Sequence, residues 1–452
     1  PLLHTLRPEV PLKLSELISA LSHALDITEG QPEGHCVRCC WIGMHIGRSI
    51  GMSDDELWGL YYTLLLKDLG CSSNAARICE LYLTDDLAFK RDFKTIGDSL
   101  PRVLHFVLKH TGLKAGLAER FRSVMTIMRN GEEIAHELIA TRCQRGAEIA
   151  RLLRFPETVS QGIYSLDEHF NGQGRPAGLA GESIPLYARI ALLAQVIDVF
   201  HTAGGAQAAL DEIQLRAGRW FDPQLVKAFG KVADSADFWA TLGDPGIIDA
   251  VLLLEPAANV VALDDDYLDD ISAAFGQVVD SKSPYTSGHS ARVALYTDMI
   301  AEVLGLSHER RRWLKRGALL HDVGKLGVSN SVLDKPGKLD DEEWAAVKAH
   351  AMYTETILSR INAFSELARV SAAHHERLDG KGYPRGLMAD EICLETRIIT
   401  TADIFDAITA ERPYRGAIPI PRTLEMMAEN VGTAIDERCF EALKQALDRL
   451  PS

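Results

Sequence analysis

The chain has 452 residues, of which 46% are hydrophobic and 25% charged, and its formal net charge is −15 at pH 7. This length exceeds one ordinary core, so two or three domains are expected, and the composition is typical of a soluble globular protein. The negative charge argues against general affinity for nucleic acid polymers or anionic membranes, so a phosphate ligand must be held by a local group of cations.

No apolar run approaches the roughly 18 to 20 residues of a membrane span, and the first residues lack the order of a signal peptide. We therefore expect a cytoplasmic protein. The eight cysteines are irregularly spaced. Cys36, Cys39 and Cys40 resemble half of a zinc knuckle, but no second CxxC pair follows, so reduced cysteines in a helical core are the expected interpretation.

Apolar residues recur at helical spacing along most of the chain, and period-two alternation is scarce, so an all-α fold is predicted. The sequence also contains an internal repeat. The matching segments are 26–35 with 280–289, 66–70 with 320–324, and 167–176 with 375–384. The first two pairs are 254 residues apart and the third 208, so the first copy carries about 46 additional residues. Two tandem copies of one helical domain are therefore predicted.

We expect an N-terminal domain at residues 1–235, with an insertion at about 72–140, and a C-terminal domain at 267–452. The intervening linker, 236–266, contains Gly, Pro and acidic residues that interrupt the helical pattern. Its acidic run, Asp264-Asp265-Asp266, is also suited to cap a helix that begins near Tyr267.

Histidines and aspartates of the C-terminal copy fall where helical faces can converge. They are His289, His321, Asp322, His350, His374, His375 and Asp403. One buried histidine is usually a hydrogen-bonded core residue, but this many buried ionisable groups are costly without a cation. Mixed N and O ligands suit first-row divalent metals, and adjacent ligands such as His321 and Asp322 suit two metals bridged by the carboxylate. Such a pair lowers the pKa of a shared water from 15.7 toward about 7, which gives a hydroxide nucleophile for attack on phosphorus.

Two motifs of this copy resemble the HD-GYP family, the helical cyclic di-GMP phosphodiesterases of bacteria. They are His321-Asp322-Val-Gly-Lys325 and His374-His375-Glu376-Arg-Leu-Asp379-Gly380-Lys-Gly382-Tyr383-Pro384. Three shorter segments match as well: Lys335-Pro336-Gly337, Ala402-Asp403-Ile-Phe-Asp406-Ala and Arg412-Pro413-Tyr414-Arg415. The likeness spans about residues 271–449. Together with the internal repeat, the resemblance implies two tandem HD-type helical domains, of which the second is catalytic.

The resemblance implies a role for each matching position. The five histidines, Asp322 and Asp403 would bind two divalent transition metals, foremost Fe or Mn, with Ni, Co and Zn compatible, and Asp322 would bridge them. Asp322 and Lys325 would be catalytic, with Lys325 facing the scissile phosphate. Arg412 and Arg415 would hold the phosphates of the ligand, as forked guanidinium groups do. Some family members bind a third metal through a glutamate at the position of Tyr285, so two metals are expected here. A third metal whose shell is completed by waters or the ligand is the alternative.

Simpler interpretations of the substrate contacts stay open. Lys325 could be a solvated turn lysine and Arg415 a surface residue. The loop Gly380–Pro384, rigid and tightly turned, would bring Tyr383 close to the site, and in the family it is a proposed contact for partner proteins. A purely structural turn is the alternative.

The N-terminal copy lacks most of the metal set. His35 and Asp68 remain, but the other five positions hold Lys67, Arg142, Leu166, Asp167 and Gln195. We therefore expect this copy to be catalytically silent and to serve packing, dimer formation or regulation. Binding of a nucleotide without cleavage is the alternative.

The sequence thus predicts metal-dependent hydrolysis of cyclic di-GMP or 3'3'-cyclic GMP-AMP to a linear dinucleotide by a metal-bridging hydroxide. A different hypothesis is a sensor or scaffold that binds the cyclic dinucleotide and signals through the silent copy. A third is another HD-type enzyme, such as a deoxynucleotide triphosphohydrolase or an alarmone hydrolase, although these are not expected to carry the motif from His374 to Pro384.

Overall fold

The computed structural model describes residues 11–28, 31–70, 139–412 and 414–450. Within these residues the regular structure is helical, and the only β-type pairings are isolated bridges between single residues. The all-α prediction is confirmed. The insertion predicted at about 72–140 lies almost entirely outside the described residues.

In the part of the chain that the structure describes, the N-terminal half contains eight named helices, of which the longest, α5, is kinked at Gly205. They are α1 (Leu14–Thr28), α2 (His35–Ser49), α3 (Asp54–Leu66), α4 (Glu157–Tyr164), α5 (Leu186–Arg216), α6 (Pro223–Ala233), α7 (Ala236–Leu242) and α8 (Ile247–Leu252), and residues 139–152 are helical too. By length and composition α5 could cross a membrane, but 61% of its apolar window is buried inside the protein, as in a core helix. Helix α3 starts at a capping box, in which Ser53 accepts from the Glu56 amide and Glu56 from the Ser53 amide.

The C-terminal half carries most of the predicted histidines at helix ends, whereas His350 lies in the middle of a helix. Its helices are α9 (Asp265–Asp280), α10 (His289–Val303), α11 (His308–Leu320), α12 (Asn330–Leu333), α13 (Asp341–Ser359), α14 (Ser365–Ala372), α15 (Leu394–Thr409), α16 (Ile420–Ala428) and α17 (Glu437–Asp448). A 3-10 helix, Val323–Gly327, follows α11. The predicted cap of α9 is confirmed, because the Asp264 carboxylate accepts from the Tyr267 amide at 2.7 Å.

One hydrophobic cluster extends through both halves, and a second cluster lies within the C-terminal half. A single buried cluster includes Leu17 and Leu21 of α1 together with Leu326 of the 3-10 helix and Ile357 of α13. The contact is close, since a Cβ added to Gly327 would lie 2.9 Å from a methyl group of Ile27. The N-terminal half therefore packs directly against the segment that follows His321 and Asp322.

Residues 236–266, the expected linker, contain α7 and α8 as well as the extended stretch before α9. Phe238 and Val251 from these helices lie buried in the cluster that extends through both halves. The Leu14 amide also donates to the Val261 carbonyl at 2.9 Å. The division of the chain into domains at this segment stays a prediction.

Several contacts occur once in each half. Gly70 lies against the Arg142 carbonyl, as Gly324 lies against that of His350. The Glu168 carboxylate accepts from the amides of Ala177 and Leu179, as the Glu376 carboxylate accepts from those of Arg385 and Leu387. The peptide bonds before Pro176 and Pro384 are both cis. These pairs have the 254- and 208-residue offsets found in the sequence.

Gly324 is expected to tolerate no side chain. An added Cβ would collide with the His350 carbonyl oxygen and lie 2.6 Å from the Thr354 amide nitrogen, and neither backbone atom can rotate away. We expect Gly324→Ala to lower the free energy of unfolding by at least about 2 kcal/mol, measured by urea unfolding. Gly230→Ala is the control, because nothing lies within 4 Å of its Cβ. Equal stability of the two variants would contradict the close packing of α13 on this turn.

Candidate metal centre

Five segments bring the predicted ligands together. His289 is the first residue of α10; His321 and Asp322 directly follow α11; His350 lies in α13; His374 and His375 follow α14 after one intervening residue; and Asp403 lies in α15. Thr354 joins two of these segments, because its hydroxyl donates to the His321 carbonyl at 3.2 Å and accepts from the Gly324 amide at 2.9 Å. The turn after Asp322 is thereby fixed to α13.

Asp322 stands at the middle of the site, and its two carboxylate oxygens face different imidazoles. Oδ2 lies 3.3 Å from Nε2 of His289 and 3.2 Å from Nε2 of His321. Oδ1 lies 3.4 Å from Nε2 of both His350 and His374. The seven predicted residues thus form two groups that share Asp322: one with His289, His321 and Asp403, the other with His350, His374 and His375.

In four of the five histidines, the second ring nitrogen, Nδ1, is held by a hydrogen bond to another group of the protein. Nδ1 of His321, His350 and His374 lies 2.5, 2.5 and 2.6 Å from the backbone carbonyl oxygens of residues 318, 347 and 371. Nδ1 of His289 instead lies 2.6 Å from Oδ2 of Asp406. Because Nδ1–H donates in each case, the lone pair of the neutral imidazole lies on Nε2 and is directed at Asp322, which is the arrangement of metal-binding histidines.

These atoms suit a cation. Among the described residues, Nε2 of His289, His321, His350 and His374 and Oδ1 of Asp322 are buried and have no hydrogen-bond partner. Buried polar atoms without partners are costly, and here every one is a lone-pair donor that points to a common space. The donor set of imidazole nitrogens and carboxylate oxygens fits divalent transition metals.

The two groups differ in charge. Burial opposes ionisation, but Asp322 and Asp403 outweigh it and raise the pKa of His321 to about 9. In the second group, burial lowers the pKa of His374, and burial together with the neighbouring imidazoles lowers the pKa of His375 well below its usual range. The first group contains two carboxylates, Asp322 and Asp403, whereas the second contains only the shared carboxylate of Asp322, beside His374 and His375 whose pKa values are lowered.

The loop with the GYP motif lies against the second group. The Tyr383 ring stacks on the His375 ring, with centroids 4.8 Å apart and an interplanar angle of 22°. Glu376 is buried, and its carboxylate accepts from the Arg385 amide at 2.6 Å and the Leu387 amide at 2.9 Å. These bonds fix the loop next to His375, so Tyr383 forms part of the wall of the site.

The predicted substrate-binding cations have different positions. The Lys325 ammonium donates to Oδ2 of Asp322 at 2.7 Å, so it lies at the centre of the site and is not a solvated turn lysine. The Arg415 guanidinium donates to the Ala407 and Ile408 carbonyls at 2.7 and 2.9 Å, and Nε of Arg412 donates to the Ala407 carbonyl at 3.3 Å. Both arginines therefore cap the C-terminal end of α15.

An open cleft of about 440 Å³ adjoins the first group. Its lining includes Tyr285, Arg292, Tyr296, Asp406 and Glu411. The side chains offer aromatic faces, one guanidinium and two carboxylates, which together suit a planar, hydrogen-bonding ring.

Asp406 and Arg292 were missed as functional residues in the sequence. Arg292 donates to Asp406 at 2.6 Å, and Asp406 in turn holds Nδ1 of His289. The spacing in the sequence could have indicated Asp406, because Asp403 and Asp406 are three residues apart on one helix and therefore share a face.

Known proteins resemble this chain over most of its length. A family model described as HD domain matches residues 115–225 and 274–439. A Vibrio cholerae protein named 3'3'-cGAMP-specific phosphodiesterase 3 is 59% identical over 438 residues, which cover 97% of this chain and 95% of that protein. A crystal structure of a cyclic GMP-AMP specific phosphodiesterase of V. cholerae covers 98% of this chain and 99% of its own, with 53% identity and a TM-score of 0.67.

A more partial likeness involves the Xanthomonas campestris cyclic di-GMP phosphodiesterase response regulator. It is 41% identical over 160 residues, which cover 35% of this chain and 42% of that protein. The likeness to the V. cholerae proteins, in contrast, extends through both halves of the chain.

Proposed function

The chain belongs to the HD-domain family, in its HD-GYP branch, and on this premise we propose that it hydrolyses a cyclic dinucleotide, foremost 3'3'-cyclic GMP-AMP. The choice of bases rests on the relative that is 59% identical over nearly the whole chain and is named for that substrate. Cyclic di-GMP is the second candidate, because relatives named for it match a shorter part. The proposal depends on one observation: the two carboxylate oxygens of Asp322 face two separate groups of imidazoles.

The proposed cofactors are two divalent transition metals, foremost Fe or Mn. His289, His321 and Asp403 would hold one, His350, His374 and His375 the other, and Asp322 would contact both. Such ions, when bound, lower the pKa of water and neutralise charge on a phosphate. The support from this chain is the set of buried nitrogen lone pairs that have no other partner among the described residues.

The chain's own residues bind and orient the substrate in this proposal. The Lys325 ammonium, 2.7 Å from Asp322, can donate to a phosphate oxygen that enters the site. Arg412 uses only Nε among the described contacts, which leaves its Nη groups for a second phosphate. Tyr383 excludes water on the side of His375. Water adds across one P–O bond of the ring, and the product is a linear dinucleotide.

The proposal includes the setting of the enzyme. Residues 267–452 would be the catalytic domain, and residues 1–235 a silent HD-type domain joined to it through residues 236–266. We place the enzyme in the cytoplasm. A homodimer, and a protein partner at the loop Gly380–Pro384, are compatible with this arrangement.

A turnover assay with matched histidine variants tests the proposal. Purified full-length chain is stripped with a chelator, reloaded with Mn²⁺ or anaerobically with Fe²⁺, and incubated with 3'3'-cyclic GMP-AMP, cyclic di-GMP or cyclic di-AMP. We expect linear dinucleotide from the first substrate, no product with His321→Ala, and normal turnover with His308→Ala, because His308 is exposed on α11.

Two results would overturn the proposal. The first is full activity in His321→Ala. The second is tight binding of a cyclic dinucleotide without turnover under every metal condition, which would instead identify a sensor.

A further inference from the structure

The N-terminal half contains a buried polar cluster at the positions that correspond to the first metal group and to Asp406, which holds His289. His35, Lys67, Asp68, Gln195 and Asp198 occupy the positions of His289, His321, Asp322, Asp403 and Asp406. His35, Lys67, Asp68 and Asp198 are each at most 3% exposed, and Gln195 is 7% exposed. A buried set this polar needs internal compensation of its charges.

The Lys67 ammonium lies at the centre of this cluster. Nζ is 2.5 Å from Oδ2 of Asp68, 3.1 Å from Nε2 of His35 and 3.1 Å from Oε1 of Gln195. These three acceptors come from the positions of Asp322, His289 and Asp403, the same groups that face one another in the first metal group. An ammonium has three hydrogens to donate, and the three acceptors match that number.

His35 is oriented as a metal ligand would be. Its Nδ1 lies 2.6 Å from Oδ2 of Asp198, and Arg38 donates to Asp198 at 2.8 Å. The same bonds join His289, Asp406 and Arg292 in the other half. Nε2 of His35 is thereby left as a lone pair, and that lone pair faces the Lys67 ammonium.

The charges balance in both clusters. A divalent ion in the C-terminal group would face two carboxylates, Asp322 and Asp403. The Lys67 ammonium carries one charge and faces one carboxylate, Asp68, because neutral Gln195 replaces the second. Burial lowers the pKa of the Lys67 ammonium, but Asp68 and the neighbouring groups outweigh burial and hold this pKa well above its usual range.

The second metal group shows a parallel replacement. Arg142 and Asp167 occupy the positions of His350 and His375, and the Arg142 guanidinium forms an ion pair with the Asp167 carboxylate. A side-chain cation again stands among the residues that replace metal ligands.

We propose that the Lys67 ammonium occupies the place of a metal ion. The N-terminal cluster is then a former metal site, and in the native chain Lys67 prevents a metal from binding there. Replacing Lys67 with histidine and Gln195 with aspartate would then restore a site for one divalent transition metal, held by residues 35, 67, 68 and 195. The proposal concerns the N-terminal half and stands whether or not the C-terminal half hydrolyses cyclic dinucleotides.

Metal content tests the proposal directly. Full-length wild type and K67H/Q195D are stripped with a chelator, reloaded with Co²⁺, desalted and analysed for metal per chain and for the visible absorption of bound Co²⁺. We expect one more equivalent in K67H/Q195D than in wild type, and a thermal midpoint that rises on adding Co²⁺ more than that of wild type does. Folded K67H/Q195D with no additional metal would overturn the proposal.

Two single variants keep the test decisive if K67H/Q195D does not fold. His35→Ala in the native chain should leave the metal content unchanged, since Lys67 closes the site, and a loss of one equivalent would overturn the proposal. Lys67→Met, which leaves Asp68 buried without its cation, should lower the thermal midpoint by roughly 5–10 °C. Lys227→Met is the control, because Lys227 is exposed in the same half. Equal midpoints for Lys67→Met and Lys227→Met would also overturn the proposal.

Discussion

Replacing Asp322 with asparagine is expected to lower kcat by at least about 10³-fold, because the residue serves both proposed metals at once. Its Oδ2 lies 3.3 Å from Nε2 of His289, and its Oδ1 lies 3.4 Å from Nε2 of His350. An amide keeps the size of the side chain, but it puts an NH₂ group where a lone pair is required. Mutation of a residue that hydrogen-bonds to a metal ligand typically lowers metal affinity or activity about 10- to 100-fold. Loss of the ligand shared by both proposed metals should therefore lower activity further.

The measurement pairs kcat with metal content per chain for wild type, Asp322→Asn and Asp341→Asn. Asp341 is exposed at the start of α13 and serves as the control. We expect Asp322→Asn to lose bound metal as well as activity, with its far-UV circular dichroism unchanged. Retention of two metals with ordinary turnover would show that the two groups bind independently of this carboxylate.

The sequence was sufficient to predict that these histidines and aspartates lie close together, because most of them are in short motifs. His321 and Asp322 are adjacent, His374 and His375 are adjacent, and a turn must follow each pair, so their grouping depends on local structure. The joining of these turns across the fold depends on packing instead. Gly324 against the His350 carbonyl, and Thr354 between two segments, are contacts of high sequence separation that no local pattern reveals.

Long side chains were the weaker part of the prediction. The sequence specifies the position of a lysine or arginine, but several rotatable bonds separate that position from the charge. Lys67 was therefore interpreted as the loss of a ligand, whereas its ammonium enters the cluster. Arg415 was expected at a phosphate, and its guanidinium donates to carbonyls at the end of α15. Its role as a phosphate contact stays a prediction.

Lys325→Met is expected to lower kcat by about 100-fold while metal content stays at the wild-type value. The Lys325 ammonium is 2.7 Å from Oδ2 of Asp322, and Lys325 is not among the proposed metal ligands. It is therefore placed to stabilise negative charge that develops on a phosphate oxygen during hydrolysis. Methionine retains a similar length and apolar stem, so the change removes the charge with little effect on packing.

Steady-state kinetics with metal analysis distinguish this role from a structural one. Lys338→Met, at an exposed lysine of the same half, should match wild type in kcat, KM and metal content. If Lys325 only neutralises Asp322, its removal should change metal affinity and leave kcat at saturating metal unaltered. A fall in kcat that saturating Mn²⁺ does not reverse is the result that requires a direct contact between Lys325 and the reacting phosphate.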